Sequence, residues 1–129
     1  MAAGVFDLAI EQGATFRRTV IWRDPNVNPS TPGPVKNLVG CTAVMEIRNA
    51  VADRADSVIL LSLTTENGGI VITGAEGRLD IHATGVQTRT LTAKKAVYDL
   101  YVLYPGDLDD PIKILKGAVA IDKTVTDVD

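Results

Sequence analysis

Apolar and polar residues alternate with a period of two along much of this chain, which is the pattern of half-buried β-strands. The alternation is cleanest at residues 41–49, where the predicted inward positions are Cys41, Ala43, Met45 and Ile47. β-branched residues and flanking turn signals extend the prediction to seven further segments, namely 5–10, 15–24, 58–65, 70–73, 78–83, 97–104 and 112–122. Glycine-rich sequences at 66–69 and 74–77 are typical of the tight turns that join such strands.

About eight short strands without long helical segments predict an all-β fold. The expected architecture is an antiparallel β-sandwich of immunoglobulin-like or jelly-roll-like type. Short helical turns fit the sequence only at 50–57 and 84–96. The predicted core consists of apolar residues at alternating strand positions, which the two sheets bury between them. These residues are Phe16, Val20, Trp22, Met45, Ile47, Leu61, Leu79, Ile81, Leu100, Val102, Leu115 and Val119.

A length of 129 residues predicts one domain, spanning 1–129. Three parts of it are expected to be irregular: an N-terminal arm around 1–7, a loop at 25–37 and a short C-terminal tail at 123–129. The loop holds four of the six prolines, which is why no regular strand is expected there. These irregular parts are the ones that we expect to contact neighbouring molecules.

Composition excludes several classes of function. The net charge of −3 and the isoelectric point of about 5.1 lack the basic footprint of a nucleic-acid-binding domain. No apolar stretch approaches the roughly 20 residues that a membrane helix needs, so we expect no membrane insertion. The N-terminal sequence does not resemble a secretory signal. Cys41 is the only cysteine, so the chain can form neither an internal disulfide nor a cysteine-based zinc site.

Three acids, Asp107, Asp109 and Asp110, lie between the last two predicted strands. One interpretation is a weak cation site, since carboxylates are calcium ligands. The other is a solvated hairpin tip, in which aspartate side chains cap backbone amides of a turn. The sequence DLDDPIK lacks the glycine and the closing glutamate of a calcium loop, which favours the hairpin tip. The three aspartates are therefore weak metal candidates, and no cofactor is expected.

No catalytic site is expected. His82 is the only histidine, and no nucleophile elbow or metal-binding helix accompanies it. Cys41 lies on the apolar face of its strand, where a small buried side chain is the usual role. Asp99 shares a strand face with apolar residues and needs a partner, for which Arg48 and Arg78 are the candidates. The basic spots around Arg17, Arg18, Arg23, Lys94 and Lys95 are typical of solvated faces or interface rims.

The order of several short motifs is more informative than any one residue. They are Gln-Gly-x-Thr-Phe at 12–16, Trp-x-Asp at 22–24, a strand entry at 38–43 that ends in Ile47-Arg48, Gly77-Arg78-Leu79, Tyr98-Asp99-Leu100 and Leu115-Lys116-Gly117. In this order they resemble small β-sandwich virion proteins of tailed bacteriophages. That family includes the N-terminal domain of upper-baseplate proteins, which anchor receptor-binding proteins to the tail.

The resemblance implies a non-enzymatic structural protein of the virion, assembled in the host cytoplasm and placed in the tail, baseplate or fibre-attachment region. The implied partners are other virion proteins and copies of the same chain. Related baseplate modules continue into a fibre, whereas only residues 123–129 follow the last predicted strand here. A capsid decoration or cement protein therefore stays open as an alternative. A third possibility is a carbohydrate- or cation-binding sandwich. Sugar binding needs exposed aromatic rings, and the candidates Trp22, Tyr98, Tyr101 and Tyr104 all lie in strands that are predicted to be at least half-buried.

Overall fold

Two β-sheets pack face to face in the computed structural model, which describes residues 4–26, 28–51 and 54–123. The strands are β1 (Gly4–Val5), β2 (Leu8–Glu11), β3 (Phe16–Ile21), β4 (Thr42–Arg48), β5 (Ile59–Thr64), β6 (Ile70–Thr73), β7 (Arg78–Ala83), β8 (Lys95–Leu103) and β9 (Ile112–Asp122). A 3-10 turn at Gly74–Glu76 joins β6 to β7, and one short helix, α1 (Gly85–Arg89), lies between β7 and β8. The predicted all-β sandwich is confirmed.

The strand order follows the immunoglobulin pattern. The larger sheet has the order β1-β9-β8-β4-β5, with β2 also paired to β9, and the smaller sheet has the order β3-β7-β6. In immunoglobulin lettering these are the G-F-C-C′ and B-E-D arrangements. The chain therefore changes sheet at four connections, whereas the β1–β2, β4–β5, β6–β7 and β8–β9 connections stay within one sheet.

The N-terminal segment departs from the antiparallel prediction, because β1 and β2 both pair with β9 in parallel. The irregular arm expected over 1–7 is instead part of the sheet from Gly4 onward, while residues 1–3 lie outside the described part of the chain. Between the two short strands, the carboxylate of Asp7 accepts a 3.0 Å hydrogen bond from the backbone N–H of Ala118. The Asp7 side chain thus takes the place of a backbone acceptor, so that hydrogen bonding to β9 continues between the end of β1 and the start of β2.

Most of the predicted core is buried. The buried residues are Phe16, Met45, Ile47, Leu79, Ile81, Leu100, Val102 and Val119, whereas Val20, Trp22, Leu61 and Leu115 are only partly buried and pack against that cluster. Position explains the difference. Val20 and Leu61 lie on edge strands, which lack a covering neighbour on one side, and Trp22 lies just beyond the end of β3.

The irregular segments are only partly as expected. Helix α1 forms within the predicted 84–96 region, where Thr84 and Gln87 make a capping box. The 50–57 region has turns rather than a helix among its described residues, and residues 52–53 are not described. Residues 124–129 of the predicted tail also lie outside the described part of the chain. Among the described residues, no helix is long and apolar enough to cross a membrane.

The proline-rich loop is anchored at its base rather than free. Beyond the end of β3, the N–H of Asp24 bonds to the carbonyl of Pro34 at 2.8 Å, and the N–H of Lys36 bonds to the carbonyl of Trp22 at 2.8 Å. An ion pair of 2.5 Å joins Lys36 to Asp24, and the corresponding hydrogen bond raises the pKa of the Lys36 ammonium. The loop therefore doubles back on itself, with its described tip at the surface.

Candidate interaction surface

The acidic segment forms the tip of the β8–β9 hairpin, as predicted. Residues 105–111 are all exposed, and the tip contains an exposed apolar residue, Leu108, whose surface is 63% accessible. Asp107 and Asp109 flank Leu108 in sequence, and Asp110 follows them. The tip therefore presents one apolar side chain among three carboxylates.

These carboxylates do not cap the turn, so that detail of the prediction is wrong. Backbone groups make the turn bonds, from the N–H of Asp107 to the carbonyl of Tyr104 at 3.0 Å and from the N–H of Asp110 to the carbonyl of Asp107 at 3.1 Å. The side chains of Asp107, Asp109 and Asp110 have no hydrogen-bond or ion-pair partner among the described residues. In the same part of the chain, no three His, Cys, Asp or Glu side chains are grouped in a way that could hold a metal ion. The three carboxylates are thus free to meet another molecule.

A wide groove lies on the outer face of the larger sheet, with a volume of about 810 Å³. The sides of β4 and β8 that point away from the core form its floor, and every one of these floor positions is only half-buried. Residues that line it include Val5, Val44, Glu46, Arg48, Val51, Val97, Asp99, Tyr101, Leu103, Pro111, Lys113 and Lys116. It is larger than the cleft between the two sheets that is described below.

The groove combines an apolar floor with paired charges. Val44 lies opposite Tyr101 in the β4–β8 register, and Val97 and Leu103 lie on the same outward side of β8. A row of charges crosses the floor, because Glu46 lies opposite Asp99 and Asp99 lies opposite Lys116. Two carboxylates directly opposite each other repel unless cations flank them.

The flanking cations are present. Asp99 pairs with Lys113 at 3.6 Å and Glu46 pairs with Arg48 at 2.9 Å. The predicted partners of Asp99 are therefore wrong: Arg48 is bound to Glu46, and Arg78 lies on the smaller sheet, bound to Asp80. The true partner lies on β9, a strand whose register with β8 shifts at Leu100/Tyr101. That shift could not be deduced from the alternation pattern.

Two lysines on β9 differ in their environment. Lys113 lies with its ammonium 5.5 Å from the centroid of the Tyr101 ring, and a hydrogen bond with Tyr101, together with the charge of Asp99, raises the pKa of Lys113. Lys116 is exposed and has no ion-pair partner among the described residues. Lys116 is therefore the cation in the groove that is available to an incoming carboxylate.

The other predicted candidates lie apart from this groove. His82 is half-buried on the outer face of the smaller sheet, opposite Arg17. Cys41 is buried, as predicted, and burial raises the pKa of its thiol, which disfavours the reactive thiolate. Trp22 contacts the Tyr104 ring at a centroid distance of 6.4 Å, near the proline-rich loop. None of these residues is brought together with the three aspartates.

A second, smaller cleft of about 280 Å³ lies between the two sheets. Its lining is mostly apolar and includes Leu8, Val20, Ile81 and Leu115. The Arg18 guanidinium lies 4.6 Å from the centroid of the Phe6 ring at its rim. An arginine that points inward from the edge strand β3 discourages pairing with another strand, so this cleft is best explained as a protected edge.

The motifs that carry the family resemblance occupy positions that fix the fold. Gln12 donates a 3.0 Å hydrogen bond from its side chain to the carbonyl of Leu91. Gly77 adopts a positive φ of 59° after the 3-10 turn. Gly117 allows close approach of the N-terminal segment, since a Cβ atom there would lie 2.3 Å from the carbonyl oxygen of Phe6. These residues hold distant segments of the sandwich together, and none of them lies at the acidic tip.

Sequence reasoning missed the groove, although a signal for it was present. Val44 interrupts the polar side of β4, and β8 is apolar on both of its faces. A strand with two apolar faces indicates cover on both sides, and here the described residues cover only one side. No protein-family model matches this sequence, and no curated protein matches it significantly.

Proposed function

We propose that this chain is a non-enzymatic structural component of a tailed-bacteriophage virion. Its place is the tail, baseplate or fibre-attachment region, and it acts through protein–protein contacts. The observation that carries the proposal is the groove on the outer face of the larger sheet, whose floor has apolar side chains and a row of charged ones.

The composition of the groove suits a protein partner. Val44, Val97 and Leu103 offer apolar surface to an anchoring side chain, and Tyr101 adds an aromatic ring of the type enriched at the centres of interfaces. The surrounding charges favour one orientation of the partner and contribute less to affinity, because exposed ion pairs are weak. Docking needs no reactive group in such a groove, only a complementary surface.

The assignment to a phage rests on the motif order. The motif residues lie at fold-fixing positions, such as the contact of Gln12 with the segment after α1 and the close approach at Gly117. They therefore support kinship with the β-sandwich family of virion proteins, and the groove supplies a surface through which such a protein would attach. A rigid sandwich with repeated weak contacts suits a particle, in which many copies act together.

Purified particles of the phage that encodes this chain provide the test. Mass spectrometry should detect the chain at a fixed stoichiometry, and electron microscopy with a labelled antibody should place it on the tail. Labelling of the capsid instead would favour the decoration-protein alternative. Complete absence from purified particles would refute the virion assignment.

A variant of the groove tests whether incorporation into particles depends on this surface. Tyr101→Glu places a charge on the groove floor and should reduce incorporation into particles. Thr73→Glu, on the smaller sheet, is the matched control and should be incorporated normally. Both variants should first be compared with the unmodified chain by thermal unfolding, so that a folding defect is not mistaken for a docking defect. Glycan arrays and calcium calorimetry on the unmodified chain test the carbohydrate- or cation-binding alternative.

A further inference from the structure

We propose that the groove of one copy binds the acidic hairpin tip, residues 105–111, of a second copy. This inference rests on the proposed function in that it names a partner for the groove. The contact is head-to-tail, since the two surfaces that meet are different parts of the same chain.

The two surfaces match in their apolar content. The tip exposes Leu108, a large apolar side chain at the end of a hairpin, where it can reach into a groove on another molecule. The groove floor presents Val44, Val97 and Tyr101 on a sheet face that the described part of the chain leaves uncovered. Insertion of Leu108 would remove apolar surface from water on both sides, and this is the main source of affinity.

The two surfaces also match in charge. The tip carries three carboxylates without partners among the described residues. The groove contains the cations Arg48, Lys113 and Lys116, and Lys116 has no ion-pair partner within residues 4–26, 28–51 and 54–123. Lys116 would therefore meet a tip carboxylate directly, while the other two cations already neutralise Glu46 and Asp99. The charges orient the tip in the groove and make the contact sensitive to salt.

The chain geometry requires a second copy. The tip joins β8 to β9, the same two strands that form much of the groove, and only its last residue, Pro111, borders its own groove. A turn cannot fold back onto the strands that it connects without breaking their pairing. A contact of this head-to-tail kind closes into a ring or continues as a fibre, depending on the rotation between copies. A ring or a fibre would repeat the same contact between many copies, so each single contact can be weak.

Sedimentation velocity on the purified chain tests the contact, from micromolar to roughly millimolar concentration, the range in which weak complexes form. The unmodified chain should associate, and higher salt should weaken the association. A tip variant combines Leu108→Ser with Asp107→Asn, Asp109→Asn and Asp110→Asn. A groove variant carries Tyr101→Glu together with Lys116→Glu. Each variant alone should weaken association by about tenfold or more, the effect expected for loss of one buried apolar anchor.

A control variant makes the same two kinds of change, loss of an apolar side chain and loss of a carboxylate, at another place. Val86→Ser with Glu66→Gln removes an exposed apolar residue and an exposed acid outside both surfaces. This control should associate like the unmodified chain. Equal association of the tip variant and the unmodified chain would refute the proposal.

Mixing the two defective variants gives the sharpest outcome. The tip variant retains a working groove, and the groove variant retains a working tip, so the mixture can form one contact and no more. A 1:1 dimer without larger species is expected. A mixture that stays monomeric, or an unmodified chain that stays monomeric at the highest concentration, would overturn the self-docking inference. Neither result would bear on whether the chain is present in purified particles, which is the separate test of the proposed function.

Discussion

The side-chain amide of Asn67 donates a 2.9 Å hydrogen bond to the backbone carbonyl of Ser62, at the free edge of the larger sheet. Its amide oxygen accepts 2.9 Å bonds from the N–H groups of Thr64 and Gly69. Alternate residues of an edge strand point their backbone groups away from the sheet, and Ser62 and Thr64 are in that position on β5. One side chain therefore acts as a short mimic of the missing neighbouring strand.

Loss of this side chain should expose an aggregation-prone edge. Residues 58–65 contain no charge and no proline, which are the usual protections of an edge strand. We expect Asn67→Ala to lower the free energy of unfolding by about 1–2 kcal/mol and to speed aggregation on mild heating. Chemical denaturation and light scattering measure the two effects. Asn26→Ala, at an exposed asparagine outside the sheets, is the control, and equal aggregation of the two variants would contradict the edge-protection role.

Gly117→Ala should detach the N-terminal segment from β9. The added methyl group would lie 2.3 Å from the carbonyl oxygen of Phe6, which also accepts a hydrogen bond from the Tyr98 hydroxyl. We expect a loss of about 2–3 kcal/mol, with faster amide hydrogen exchange confined to residues 4–11. Gly106→Ala is the control, because a methyl group there meets no atom within 4 Å and only the positive φ costs energy, about 1 kcal/mol. Unchanged exchange at 4–11 would show that the segment tolerates the methyl group.

Trp22→Ala should cost less than a substitution in the centre of the core. The ring is partly buried, and the Lys36 ammonium lies 5.4 Å from its centroid. We expect a loss of about 2 kcal/mol in unfolding free energy, below the roughly 3–5 kcal/mol of a fully buried ring. Urea denaturation followed by circular dichroism measures it. Val39→Ala, at a 65% exposed position, should change stability by less than about 0.5 kcal/mol.

Asp80 should make a pH-dependent contribution to stability. A 2.7 Å hydrogen bond from the Thr19 hydroxyl, and then the Arg78 guanidinium, lower the pKa of Asp80 below its ordinary value. A lowered folded-state pKa means that the contribution is fully present above the unfolded pKa of about 4 and is lost as the pH falls through the folded pKa. We expect Asp80→Asn to cost at most about 1 kcal/mol at pH 7, since the carboxylate is partly exposed.

Denaturation at pH 7 and near pH 2 checks this sign. The difference between Asp80→Asn and the unmodified chain should shrink at the lower pH. Glu66→Gln, at an exposed turn position, serves as the control and should have little effect at either pH. A difference that grows on acidification would contradict the assigned role of the carboxylate.

The strands could be predicted because alternation reports directly on one-sided burial. The segment 70–73 matches its strand to the residue, and the inward positions of β4 are buried as expected. Strand pairing is different, because it depends on contacts between distant parts of the chain. The parallel pairing of Leu8 with Val119 and the pairing of Asp99 with Lys113 follow from topology and register, which leave no local trace in the sequence.

Of the two candidate surfaces, the sequence predicted the acidic tip and not the groove. The acidic tip could be placed because turn residues surround it, at Pro105-Gly106 and Pro111. Its lack of capping bonds depends on turn geometry, and the groove depends on which strands become neighbours. Only the order β9-β8-β4-β5 brings Lys116, Asp99 and Glu46 into one row.

The parallel pairing of the first and last strands has a mechanical consequence. Tension applied to the two ends of the described chain would pull Gly4 and Asp122 in opposite directions along the axis shared by β2 and β9. Parallel neighbours loaded in this way are sheared, so their hydrogen bonds share the force and must fail together. An antiparallel hairpin pulled open from its ends would release its bonds one after another. The seam between the first and last strands is therefore the element that would resist stretching of the domain.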